Sequence, residues 1–318
     1  MHATIKQVEN FLALAELGSF SKAAHHVGLS QPAFSLSIQR LEDSMGMKLF
    51  QRTSRTVFLT SEGQTFLPLA HRLLHGWRST FSQMSDVAAI QHGRAAVAAL
   101  PSLAAGMLPD VVARFAVDHP LVRLVICDVL HNNVVAMVRS GQVDFGISVE
   151  PTSEPDIAFQ PLVHDKIVAI LRKDHPLAKR RTVTWAELNA EKLILMTQTT
   201  SVRQLTDRAL ENAQITMQIA LEVDQLATIS GLVQAGFGVS ALPALCLPVV
   251  IRPDLTWRSI TGPEAERSLG LLTRRQQDLS LAAASFLAEL HRTIPNGIFA
   301  AYRGLIRFEN SSNPASSR

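Results

Sequence analysis

Apolar residues recur at helical spacing from the start of the chain. Ile5, Phe11, Leu12, Leu14, Ala15 and Leu17 form one stripe, which stops at Gly18. Ser19 or Ser21 can cap a short second helix containing Ala23, Ala24 and Val27 and closed by Gly28. Ser30 then caps a third helix, with Pro32 in its first turn, where the missing N–H costs little. That helix carries Phe34, Ile38, Leu41 and Met45 on one face and ends near Gly46. Leu49, Phe50, Val57 and Leu59 flank the polar residues 51–56, which predicts a small hairpin.

A long helix is predicted from Ser61, with Ser61 and Gln64 spaced as a capping box. Phe66, Ala70, Leu73, Trp77, Phe81, Met84 and Ala88 follow at steps of three or four, close to a heptad seam. Such a helix can pack on its own domain, but the stripe is long and little nearby sequence is left to cover it, which favours pairing with a second copy. Pro68 inside the pattern should loosen the first turns. Past residues 91–94 the pattern changes. Apolar runs at 95–100, 121–127, 143–149, 167–171, 193–196, 219–223 and 239–242 read as strands. Helical patterns at 108–116, 134–140, 202–212, 226–235 and 279–293 lie between them. Such alternation predicts parallel sheets with covering helices, and its length suggests two lobes. The Ser/Asn-rich tail, residues 310–318, is expected to be disordered.

Composition narrows the function. Apolar residues make up 47% of the 318 and charged residues 18%, which excludes a largely disordered chain. The formal charge is only +3, from 30 basic and 27 acidic residues, so nucleic-acid binding must come from local placement. Two cysteines, Cys127 and Cys246, are too few for a disulfide framework and fit a reducing cytoplasm. Residues 1–10 carry Lys6 and Glu9 and no apolar secretory core. The uncharged stretch 225–251 is broken by Gly231, Gly236, Gly238, Pro243 and Pro248, so it reads as helix, turn and strand rather than a membrane span. No zincin, P-loop or nucleophile-elbow pattern appears, which argues against an enzyme. The histidines His25, His26, His71 and His75 lack companion ligands, so neither metal nor cofactor is expected.

The informative segment is 21–40. Two helices joined at Gly28-Leu29 make a helix-turn-helix, and the second presents Ser30, Gln31, Ser35, Ser37, Gln39 and Arg40 away from its apolar side. Short hydroxyls and amides near a helix N-terminus suit base edges and phosphates in a major groove. Lys48, Arg52 and Arg55 on the following hairpin, with no acidic residue between Ser44 and Ser61, suit a phosphate-contacting wing.

Residues 1–60 resemble the winged helix-turn-helix of the LysR-type transcriptional regulators. The matching residues are Ala23-Ala24, Leu29-Ser30-Gln31-Pro32-Ala33, Ser35, Ile38, Arg40-Leu41-Glu42, Gly46, Leu49-Phe50, Arg52, Arg55, Leu59-Thr60 and Gly63. Further markers follow at Pro101-Ser102, Leu108-Pro109, His119-Pro120, Asp144-Phe145-Gly146-Ile147, His175-Pro176-Leu177 and Gly236-Phe237-Gly238-Val239, so the resemblance covers residues 3–295.

The resemblance implies a multidomain α/β architecture: a DNA-binding domain over 1–60, a linker and dimerisation helix over 61–90, and a regulatory domain over 93–300. The last has two periplasmic-binding-protein-like lobes, about 93–165 with 268–300, and about 166–267. Gln31, Pro32 and Ser35 should face bases, Ser30, Ser37 and Arg40 the backbone, and Arg52 and Arg55 the wing contacts. Leu36 departs from the usual polar residue; it can touch a thymine methyl or fill core. Implied partners are double-stranded DNA with dyad symmetry, a second or fourth copy of the chain, RNA polymerase and a small effector. Open α/β sheets bind ligands at the carboxyl ends of their strands. There the candidates are Ser102 and the cluster Thr197, Thr199, Thr200, Ser201 and Arg203, which suits a carboxylate or other small anion, while any one of Thr199, Thr200 and Ser201 equally suits a helix N-cap. The competing reading makes the lobes a solute-binding module with a vestigial head. The intact Gln31, Ser35, Arg52 and Arg55 argue against it.

Overall fold

In a computed structural model, which describes residues 3–52, 57–85, 93–216, 218–263, 265–275, 277–302 and 304–309, the chain divides into two units. The first is built on Met1–Ala89, the second on Ile90–Val138 and Val143–Arg318. Residues 310–318, expected to be disordered, lie outside the described residues.

Local capping sets the first unit. Thr4 and Gln7 form a capping box that opens α1 (Ile5–Leu17), and left-handed Gly18 closes it. Ser19, not Ser21, caps α2 (Phe20–His26). Ser30 caps α3 (Gln31–Met45), which left-handed Gly46 ends. Phe11, Leu14, Phe34, Ile38, Leu41 and Leu49 are fully buried between these helices and a two-stranded wing, β1 (Phe50–Arg52) and β2 (Val57–Leu59). The long helix α4 (Ser61–Ser85) starts differently from the expected capping box. Its first turn is held by Thr60, whose Oγ1 accepts from Gly63 N at 2.9 Å and donates to the Lys48 carbonyl at 2.7 Å. The helix thereby packs onto the wing, and only glycine fits at 63: a Cβ there would lie 2.1 Å from the Leu49 carbonyl oxygen. Pro68 is accommodated inside α4 without a break.

The second unit alternates strand and helix. Its order is β3 (Arg94–Ala99), α5 (Pro101–Gly106), α6 (Leu108–Asp118), β4 (Arg123–Asp128), α7 (His131–Ser140), β5 (Phe145–Val149) and β6 (Ile157–Arg172). Next come β7 (Thr182–Thr184), α8 (Trp185–Asn189), β8 (Leu193–Met196), α9 (Ser201–Asn212), β9 (Ile219–Val223), α10 (Leu226–Gln234) and β10 (Val239–Pro243). The chain ends in α11 (Leu247–Val250), β11 (Leu255–Thr261), β12 (Glu266–Arg274), α12 (Leu281–Thr293) and β13 (Ile306–Phe308).

β3 lies between parallel β4 and β5, and β12 runs antiparallel to β5 and to the start of β6. From Ile167 onward β6 pairs instead with β10 and β11, and β10 leads through parallel β8 to β9. One strand therefore serves both halves of the unit. Strands covered on both faces read as apolar runs rather than alternations. In β3, Ala95, Val97 and Ala99 enter one core cluster, while Ala96 and Ala98 enter another on the opposite face.

β6 is far longer than the expected run at 167–171. Pro161 interrupts the pattern, but it sits at a register shift opposite Leu269 and Gly270, where a missing N–H is tolerated. β13 carries ordered structure past residue 300, the expected end of the domain. Among the described residues, no helix is long and apolar enough to cross a membrane.

Candidate functional sites

In the first unit, the heptad of α3 buries Phe34, Ile38 and Leu41 and turns Gln31, Pro32, Ala33, Gln39 and Arg40 to solvent. The Ser30 hydroxyl accepts from Ala33 N at 3.4 Å, so this candidate backbone contact already serves as the cap. The Gln31 carbonyl oxygen accepts from the Ser21 hydroxyl at 3.1 Å, which orients its amide across the turn. Ser35 is half-buried. Ser37 faces inward, contrary to the sequence reading: its hydroxyl accepts from Nδ2 of buried Asn10 at 2.7 Å and ties α3 to α1. Leu36 is 47% exposed on the outer face, so it does not fill core.

The wing is held by Glu42, which the sequence marks only as part of the family match. Glu42 is buried at the end of α3, where Oε1 accepts from Leu49 N at 2.9 Å and from Phe50 N at 3.2 Å. Its Oε2 takes the Lys48 ammonium at 2.8 Å. Lys48 remains largely exposed. Arg52 lies at the tip end of β1 by its backbone, while its side chain and Arg55 lie outside the described residues.

The residues of the expected seam do not all face outward on α4. Ala70 is fully buried and Phe66 half-buried in the core of their own unit, because the first turns of α4 cover α1 and the wing. Leu69, Leu73 and Trp77 form the outward stripe, at 43%, 50% and 47% exposure. The side chains of Phe81 and Met84 lie outside the described residues.

In the second unit, a small pocket, partly open to solvent, lies where several strands end and helices begin. His131 opens α7, Thr200 and Ser201 open α9, and Gln225 and Leu226 open α10; all line the pocket, with Ser102 and Arg267. Three of the expected effector residues are thus brought together: Ser102, Thr200 and Ser201.

The other three are engaged elsewhere. Thr197 donates to Asp224 at 2.7 Å and lies 3.3 Å from the hydroxyl of Thr199. Arg203 is buried, pairs with Asp207 at 2.6 Å and with Glu222, and donates to the Met196 carbonyl. This corrects its reading as an anion ligand: two carboxylates already satisfy it.

Arg267 was missed because its partner is distant in sequence. Its Nε donates to Asp165 Oδ1 at 2.7 Å and its Nη2 to Oδ2 at 3.2 Å, both groups buried. His131 hydrogen-bonds Ser148 through Nδ1 at 2.8 Å, and burial lowers its pKa, with Glu154 opposing, so the neutral imidazole is favoured. Among the described residues no cluster could hold a metal ion.

Cys246 lies beside Arg267 and Ser102, fully buried, and desolvation pushes its thiol up to about 12. A thiol that stays protonated is a poor nucleophile. Cys246 in the native protein is therefore expected to resist iodoacetamide at pH 8, with half-buried Cys127 reacting first. Peptide mapping checks the order, and fast labelling of Cys246 would refute it. The sign also fixes a stability window. The fold binds this proton more tightly than the unfolded chain, so the contribution is intact below pH 9 and fades between pH 9 and about 12.

A helix-turn-helix with a hairpin wing, joined to an α/β unit with a pocket at its helix starts, defines a transcription regulator with an effector-binding domain. Residues 5–64 match the bacterial regulatory helix-turn-helix protein of the lysR family, and residues 89–295 match the LysR substrate binding domain. The chain belongs to the LysR family of bacterial transcription regulators. YbhD of Escherichia coli (strain K12), an uncharacterized HTH-type transcriptional regulator, is 33% identical over 290 residues, 91% of this chain and 92% of its own. Full-length OxyR from Pseudomonas aeruginosa shares the fold with a TM-score of 0.73 at 22% identity, over 94% of this chain and 96% of its own. CbnR complexed with its target DNA has a TM-score of 0.68 at 22% identity, over 91% and 99%.

Proposed function

We propose that α3 enters the major groove of an operator with dyad symmetry, and that the effector binds the helix-lined pocket of the second unit. The observation that carries the first part is the outer face of α3, where Gln31, Pro32, Leu36 and Arg40 stand exposed beside the Lys48 wing. Gln31 and Leu36 would read a base edge and a thymine methyl, with Ser35 alongside; Arg40, Lys48, Arg52 and Arg55 would hold phosphates. The stripe Leu69, Leu73 and Trp77 would bury against a second copy, which places two reading helices a helical turn apart. Two such dimers would form the tetramer. Closure of the two halves about β6 on effector binding would change their angle. The chain would work in the cytoplasm as a regulator without catalysis of its own. Thr200 is already spent as a helix cap and His131 on Ser148, which supports that reading.

The test is a salt titration of binding to the DNA upstream of the chain's own gene and to random DNA. The upstream DNA is expected to bind preferentially, with a dyad footprint. Gln31→Ala should lose about 1–3 kcal/mol on the operator and little on random DNA. Arg40→Ala should weaken both alike and flatten the salt slope by about one. Equal effects of the two variants on both DNAs would sink this division of labour.

A further inference from the structure

We infer that the ligand of the second unit's pocket is a small monocarboxylate with an apolar body, anchored on Nη1 of Arg267. This rests on the reading of that pocket as the effector site. Arg267 is 5% exposed, and Asp165 takes only one edge of its guanidinium, through Nε and Nη2. Nη1 has no acceptor in hydrogen-bond geometry, although it belongs to a buried guanidinium beside the Cys246 thiol and its residue lines the pocket. A buried guanidinium N–H without an acceptor is costly, so an oxygen presented from the pocket gains more there than at a solvated arginine.

The rest of the wall selects the charge. The N-terminal ends of α7, α9 and α10 converge on the pocket, and the start of α10 at Gln225 has no side-chain cap. Their partial positive charges favour an anion over a neutral acceptor. The formal charge available is small, however. Asp165 already neutralises Arg267, and acidic Asp224, whose carboxylate accepts from Thr197, is among the lining residues. A second ligand carboxylate would meet Asp224, so one negative charge fits and two do not. Leu100, Leu130, Met196, Val202 and Leu226 supply apolar cover for the remainder of the ligand.

The anchor also has a lever. Asp165 Oδ2 accepts from Leu245 N at 3.0 Å, in the turn that follows β10. Asp165 lies two residues before Ile167, where β6 passes from pairing with β12 to pairing with β10. A ligand oxygen on Nη1 is thus one ion pair away from the strand that both halves share.

The experiment uses the full chain with its methionine methyls labelled with carbon-13. The Met196 signal, one of eight, is assigned by Met196→Leu. Butyrate and benzoate are titrated against butyramide and benzamide, their neutral isosteres, and against succinate. The carboxylates are expected to shift Met196 at concentrations at least tenfold below their amides, with succinate weaker than butyrate. Arg267→Lys keeps a cation opposite Asp165 but removes Nη1, and should cost a further tenfold or more. The isostere ratio in the unaltered protein stands even if that variant fails to fold. Equal shifts by acid and amide, stronger binding of succinate, or no shift with tens of millimolar carboxylate would overturn the monocarboxylate while leaving the pocket reading in place. Carboxylates that move other methionines and not Met196 would overturn the pocket reading itself.

Discussion

Asp165→Ala is expected to cost the second unit about 3–5 kcal/mol, because removing one partner of a buried pair strands the other. Asp165 and Arg267 are both essentially inaccessible, and the carboxylate accepts two guanidinium N–H groups together with Leu245 N. Alanine leaves all three donors without an acceptor, in a site where both partners are buried. The loss should be largely recovered by Asp165→Ala with Arg267→Met, which removes both charges at similar volume. Urea unfolding in a Trp77→Phe background reads it, since Trp185 and Trp257 both lie in the second unit. A cost below about 1 kcal/mol for the single variant would mean that other groups satisfy Arg267 and that the pair is not what holds the crossing strand.

The same pair marks the boundary of what the sequence discloses. Interactions closed within a helical turn or two are readable from residue order: the Ser30 cap, the glycine stop at Gly46, and the helical stripe of Phe34, Ile38 and Leu41 all stand as expected. The Thr200 cap of α9 lies in the cluster chosen for its hydroxyls. What depends on long-range pairing is not readable. Asp165 and Arg267 are 102 residues apart, and nothing local to either indicates that they meet. Arg203 looked like a ligand because it opens α9, yet Glu222, on the neighbouring strand, claims it. Ser37 looked like a DNA contact because its own helix is polar there; Asn10, 27 residues earlier, turns it inward. For Arg203 and Ser37 alike, the direction of the side chain is set by a partner beyond the window of any local pattern.

Glu42→Ala is expected to abolish sequence-specific DNA binding and to lower the stability of the first unit by about 2–5 kcal/mol. The wing is two short strands, too few to hold a geometry without outside support. Glu42 supplies that support by accepting the backbone N–H groups of Leu49 and Phe50 where the chain enters the hairpin. Alanine leaves both buried donors unpaired, each costing about 1–3 kcal/mol. Glu42→Gln separates this role from charge. It keeps one carbonyl oxygen for the two N–H groups and gives up the ion pair with exposed Lys48, which is worth at most about 1 kcal/mol. Thermal unfolding together with footprinting should therefore rank the variants with glutamine near the parent and alanine far below. Random DNA binding should survive in the glutamine variant, with a slightly steeper salt slope as Lys48 is freed for phosphate. Equal losses for the two variants would mean that the negative charge, rather than the carbonyl pin, shapes the wing.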